Sequence, residues 1–213
     1  MEICKIHYKI SKPVTSYKEI KEEAEKMRRF IVLGDFKGYY NKAFSLSHCQ
    51  VSETPYAFFV TAPECIKEKM FADDVIINPQ IVEAKETKEI KSNAGKMGEK
   101  NVISIPNIIE YQEPCMSFPF RKPKAVKRYD VIRVRYQIPG FFRFKTIEDT
   151  LSGIASEIFQ HEYDHCQGKN IYFESENPVK WWELLGTPKS KGGTSLDPPE
   201  ELGLKRAKEN EKE

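Results

Sequence analysis

The sequence has no surplus of either charge. Its 213 residues carry 34 Lys and Arg against 32 Asp and Glu, a formal balance of +2. No global field draws in a polyanion, so nucleic acid is not an expected partner. Long apolar runs are missing as well: no stretch approaches the roughly 20 residues of a membrane helix. The five cysteines, Cys4, Cys49, Cys65, Cys115 and Cys166, are odd in number and scattered, which favours free thiols in a reducing compartment over a disulfide framework. The opening MEICKIHYKI has neither a basic region before an apolar run nor the Arg/Ser-rich, acid-poor character of a transit peptide. No internal repeat is visible. The expectation is a soluble, cytoplasmic protein with one compact domain and extensions.

What is present has a clear order. From Tyr17 to Val32, Ile20, Ala24, Met27 and Ile31 recur at steps of three or four, which predicts an amphipathic helix ending near Gly34. AFFV from Ala57, VIIN from Val75 and VIRVRY from Val131 read as strands, the last with Ile132, Val134 and Tyr136 on one face and Arg133 and Arg135 on the other. Pro139-Gly140 between that run and FFRF predicts a hairpin. KETKEIKSNAGKMGE, between Glu83 and Glu99, reads as a mobile polar insertion, taken as about 83–105. From Gly186 onward the chain turns Pro-, Gly- and Ser-rich and ends in LKRAKENEKE, a flexible charged tail over 186–213.

The chemistry concentrates in His161-Glu162-Tyr163-Asp164-His165, inside LSGIASEIFQHEYDHCQG. Asp149 and Thr150 suit a helix start and Gly168 a stop, predicting one helix of about four turns. On it Ile154, Ile158, His161 and His165 follow at steps of four, three and four, one apolar stripe facing the core. Two imidazoles four apart on one face can bind one metal ion, and Glu162 beside them can handle a proton of water held there. The same five-residue pattern also occurs by chance in helices that bind nothing.

A hydrolytic metal site needs a third protein ligand. Downstream, Glu174, Glu176 and Glu183 are candidates of the thermolysin type; upstream the better one is Cys115 in QEPCMSFP. A lone cysteine is otherwise a small buried hydrophobe.

QHEYDHCQG resembles the Gln-His-Glu-x-Asp-His-x-x-Gly motif of peptide deformylases, and Glu113-Pro114-Cys115-Met116-Ser117 their Glu-Gly-Cys-Leu-Ser motif. Their Gly-x-Gly-Leu-Ala-Ala-x-Gln motif is matched in part by Ala43 to Gln50, where the leucine and the glutamine survive. IINP at Ile76–Pro79 and Val126-x-Arg128 add support, and the elements follow the family's order from Ala43 to Phe173. The resemblance implies a peptide deformylase-like catalytic domain over 1–185. It implies that Cys115, His161 and His165 hold one divalent metal ion, with ferrous iron as the native metal. A thiolate with two imidazoles also accepts zinc, nickel or cobalt. It implies further that Glu162 is general base and then acid, and that the Gln50 amide and the Met116 N–H stabilise an oxyanion. The substrate would be the N-formylmethionyl end of nascent polypeptides, with formate released. Phe44, Ser45, Tyr111 and Pro114 fall at positions that would meet substrate. Ile154 and Ile158, on the histidine stripe, are natural pocket walls, although core packing explains them equally well.

Departures are specific. Ala43 and Ser45 replace both family glycines, Ser47 and His48 the paired alanines, and Pro114 the glycine before the cysteine; none touches the inferred ligands or Glu162. The insertion and the tail could meet the ribosome, with solvated charge the preferred reading. Two rivals stay open: a zinc endopeptidase with a downstream glutamate ligand, and a formyl-peptide-binding relative without turnover. The expected architecture is α+β, with antiparallel β-sheets packed around a central HExxH helix and a helix near the N-terminus.

Overall fold

The computed structural model describes residues 9–34, 43–92, 101–118 and 121–172. The chain divides into two units, Met1–Ser175 and Glu176–Glu213, and every described residue lies in the first. Cys4, Glu174, Glu176, Glu183, the expected 185/186 boundary and the tail lie outside the described residues.

Helix α1 (Tyr17–Leu33) begins where the Ser16 hydroxyl accepts from the Lys18 N–H and ends at Gly34. Its apolar stripe, Ile20, Ala24, Met27, Phe30 and Ile31, is buried. Then come β1 (Ser45–Ser47), a single 3-10 turn (His48–Gln50), β2 (Phe58–Thr61), the short α2 (Pro63–Lys67) and β3 (Val75–Glu83). Next in the chain are β4 (Thr87–Ser92), β5 (Asn101–Pro106), β6 (Ile108–Glu113), β7 (Lys124–Tyr129), β8 (Val131–Ile138), β9 (Lys145–Ser152) and α3 (Ile154–Cys166).

Five strands form one antiparallel sheet in the order β1-β2-β3-β8-β9, and β4-β5 and β6-β7 are separate antiparallel pairs. The architecture is α+β. Phe58, Phe59 and Val60 on β2, and Val75, Ile76 and Ile77 on β3, are buried in succession. Successive strand residues point to opposite faces, so both faces of the sheet are covered there. Helix α1 packs on β1 and β2, and α3 on β1, β3, β7 and β9. The α3 side is sealed by Phe159, edge-to-face against Phe59 at 5.8 Å and beside Tyr136 at 6.1 Å.

Three sequence expectations need correction. Asp149 and Thr150 do not start the metal helix; they belong to β9, and α3 starts after Gly153. FFRF is not the second hairpin strand: Phe141 and Phe142 are each 93% exposed in the connection, and pairing with β8 resumes at Ile138↔Lys145. The polar insertion is paired rather than loose where it is described, in unbroken register from Thr87↔Pro106 to Ser92↔Asn101.

Candidate metal centre

Two pieces of chain build the centre. The first is α3, whose direction is set by Gly153. With φ 58° and ψ −133°, Gly153 holds a conformation that side chains disfavour, and its N–H donates to the Asp130 carbonyl at 3.0 Å. The second is the turn after β6, where the Phe118 N–H donates to the Cys115 carbonyl at 2.9 Å and keeps the thiol turned inward.

Cys115, His161 and His165 converge, one ligand atom from each lying within 4.8 Å of the others. Cys115 Sγ is 3.4 Å from His165 Nε2, and the two imidazoles stand nearly perpendicular with centroids 4.8 Å apart. The far nitrogens are fixed. His161 Nδ1 meets Glu113 Oε2 at 2.8 Å, and His165 Nδ1 meets the Lys169 carbonyl at 3.2 Å. A carbonyl only accepts, so His165 Nδ1 carries the hydrogen, and a carboxylate asks the same of His161. With both Nδ1 hydrogens so committed, the Nε2 atoms are the ones left for an ion. Gly168, at φ 72°, supplies the reversal that carries the Lys169 carbonyl back over His165.

The electrostatics suit a cation. Burial pushes the Cys115 thiol up, yet His165 and His161 bring it down to about 6. Burial opposes charge on His161, but Cys115 and Glu113 hold its pKa well above the ordinary value. Glu113 is itself buried, and Arg128 and His161 bring it down to about 2. Arg128 grips Glu113 with two bonds, at 2.7 and 2.9 Å, and Asp164 with a third at 2.5 Å. The end of strand β6, strand β7 and helix α3 are thus locked through one guanidinium. A soft thiolate, two oriented imidazoles and a negative surround fit a divalent metal ion.

The Ala43–Gln50 segment forms the opposite wall. Gln50 Oε1 accepts from the Ser47 N–H at 2.8 Å, which fixes the amide so that Nε2 points at Ser117 Oγ (3.2 Å) and Cys115 Sγ (3.9 Å). Glu162 is 2% exposed and receives Ser45 Oγ on Oε1 at 2.6 Å and Ser47 Oγ on Oε2 at 2.5 Å. Ser45, expected to meet substrate, therefore bonds to Glu162. Phe44 is 55% exposed at the mouth of β1. Tyr111 is half-buried on β6, and Pro114 is exposed beside Cys115. Ile158 is buried, whereas Ile154 is 52% exposed in the first turn of α3 and is not part of the core. The Met116 N–H has no partner among the described residues.

Sequence reasoning missed the holding roles of Ser45, Ser47, Glu113 and Arg128. The available signal was the period-two serines around Leu46; Glu113 and Arg128 stand among other charged residues of β6 and β7 and gave none.

An HExxH helix whose two imidazoles face a cysteine just past a strand end, on an antiparallel scaffold, is the candidate metal site of a hydrolase-like protein. The polypeptide deformylase family model matches residues 4–180; the chain belongs to that family. Chloroplastic peptide deformylase 1B of Solanum lycopersicum is 32% identical over 133 residues, 54% of this chain and 44% of that protein. Peptide deformylase of Thermotoga neapolitana is 32% identical over 119 residues, 51% and 56% respectively. The chain spans about half the length of the curated relatives it matches. Among solved structures, peptide deformylase from Thermotoga maritima superposes with a TM-score of 0.53 at 25% identity, covering 81% of this chain and 97% of that one. Peptide deformylase 1B from Arabidopsis thaliana shares the fold with a TM-score of 0.56 at 19% identity, over 90% and 97%.

Proposed function

We propose that this protein is a metal-dependent hydrolase that removes the formyl group from the N-terminal methionine of nascent polypeptides. The observation that carries the reading is the convergence of Cys115, His161 and His165 with Glu162 and Gln50 on either side. In this reading α3 is the centre about which the sheets are arranged, supported by its packing on four strands. Family resemblance favours ferrous iron, with zinc, nickel or cobalt acceptable to the same ligands. When bound, such an ion polarises a carbonyl and lowers the pKa of water toward about 7.

The chain's own groups do the rest. Glu162 takes a proton from the attacking water and returns it to the amine nitrogen as the formyl C–N bond breaks. Gln50 Nε2 and the Met116 N–H donate to the oxygen on which negative charge develops. Formate leaves and the peptide keeps a free amine. Phe44, Tyr111, Pro114, Ile154 and Ile158 form the apolar approach for the methionine side chain. Ser45 completes that approach from the Glu162 side. The proposed compartment is the cytoplasm: Cys49, Cys65, Cys115 and Cys166 are free thiols, and no helix among the described residues is long and apolar enough to cross a membrane. Of the two segments that could meet a ribosome, the insertion and the tail, the tail lies outside the described residues.

The test is formate release from formyl-Met-Ala-Ser by anaerobically prepared protein loaded with iron, nickel or zinc. Glu162→Gln is expected to lose activity by roughly 100-fold or more while keeping its metal. Cys115→Ser is expected to lose the metal. An endopeptidase with a downstream carboxylate ligand would keep it, and a turnover-free binding relative would bind formyl peptide without releasing formate.

A further inference from the structure

Ser45 and Ser47 stand where the resembled motif has glycine and alanine, and both hydroxyls end on the same carboxylate. Strand β1 explains how. Residues two apart share a face of a strand, so Ser45 and Ser47 point together toward α3 while Leu46 turns into the core, fully buried. The two bonds take different oxygens of Glu162, Oε1 from Ser45 at 2.6 Å and Oε2 from Ser47 at 2.5 Å. Ser47 is 0% exposed and also reaches the Glu162 carbonyl at 3.2 Å, whereas Ser45 is only half-buried. A buried carboxylate without donors is costly, and among the described residues these two hydroxyls are the side-chain donors that Glu162 has.

We propose that Ser45 and Ser47 are positioning residues that clamp the Glu162 carboxylate by both oxygens, with Ser47 as the fixed anchor and Ser45 as the yielding arm next to substrate. The clamp removes rotational freedom about the end of the glutamate side chain. Its position is thereby set by a sheet edge as well as by the metal helix. The inference rests on Glu162 being the proton carrier of the proposed hydrolysis.

The experiment uses the full-length, nickel-loaded chain carrying Ser45→Ala, Ser47→Ala or Ser45→Thr, each also combined with Glu162→Ala. Either alanine change is expected to lower kcat by roughly 10- to 100-fold, the scale of a misplaced catalytic group. KM should stay within about twofold and bound nickel should be unchanged, since the loss falls on the transition state. Ser45→Thr, which keeps a hydroxyl at a strand position suited to it, should recover most of the loss. Thermal midpoints give a readout independent of turnover: each serine change should lower the midpoint with Glu162 present and barely move it in the Glu162→Ala background. Additive midpoints, or a raised KM with unchanged kcat, would overturn the clamp. If Ser47→Ala does not fold, Ser45→Ala at the half-buried position decides alone. A wild-type chain that releases no formate sinks the deformylase reading, and the midpoints still decide whether the serines hold Glu162.

Discussion

At His48 the imidazole is stacked on Phe58, with centroids 4.7 Å apart, and its Nδ1 accepts from the Tyr56 N–H at 2.9 Å. Its Nε2, which carries the single hydrogen of the neutral ring, is buried without a partner among the described residues, and a second proton would have to displace the Tyr56 N–H from Nδ1. Burial pushes its pKa from 6.5 down to about 4. The folded protein thus binds this proton less readily than the unfolded chain. The stability it contributes is complete above pH 6.5 and is lost between there and about 4, by about 3 kcal/mol at most. Urea unfolding at pH 7 and pH 4.5 should show a loss in the wild type that is clearly smaller in His48→Gln. The sequence showed this residue only as a replacement for one of the motif's paired alanines. The serines flanking Leu46 showed only as replacements for a glycine and an alanine, and their partner, more than a hundred positions away in the chain, was not legible. Leu46 and Gln50 were recognisable because their motif survives, whereas Ser45 and Ser47 have a role only once α3 lies against β1.

Among the elements, α1 and β8 could be read directly, because their buried residues recur with the period of their own geometry. Strand β9 could not. It is an edge strand with a mostly exposed pattern, so Asp149 and Thr150 showed capping chemistry without the apolar alternation that marks a strand. The pair β4 and β5 hid for the same reason: it is held by backbone pairing along a Lys- and Glu-rich stretch. The true start of α3, Gly153, yields a sharper prediction. A Cβ added there meets nothing within 4 Å, so Gly153→Ala carries no steric clash and only the cost of its positive φ. The expected loss is about 1–3 kcal/mol, measured by urea unfolding, with one metal ion still bound in the folded fraction.

Over the whole molecule, the metal centre joins segments that the chain keeps apart: Cys115 follows β6, while both histidines stand on α3. An ion that binds the folded protein and not the unfolded chain stabilises it by mass action, about 2.7 kcal/mol when free metal is a hundredfold above Kd. Chelation should therefore lower the melting midpoint of the wild type, and Cys115→Ser should abolish most of that difference. The overall α+β plan and the candidate ligands were legible because the resembled motifs are each local in sequence; the Arg128 bridge and the proposed serine clamp were not, because each depends on how strands and helix are assembled. The clamp also bears on folding. Strand β1 is three residues long, lies at the sheet edge, and pairs Ser45 with Thr61 and Ser47 with Phe59. A slip of one residue would turn Leu46 toward α3 and leave a buried carboxylate bare. The site thereby proofreads the register of the strand beside it, and a misaligned edge is rejected by the charge it fails to cover.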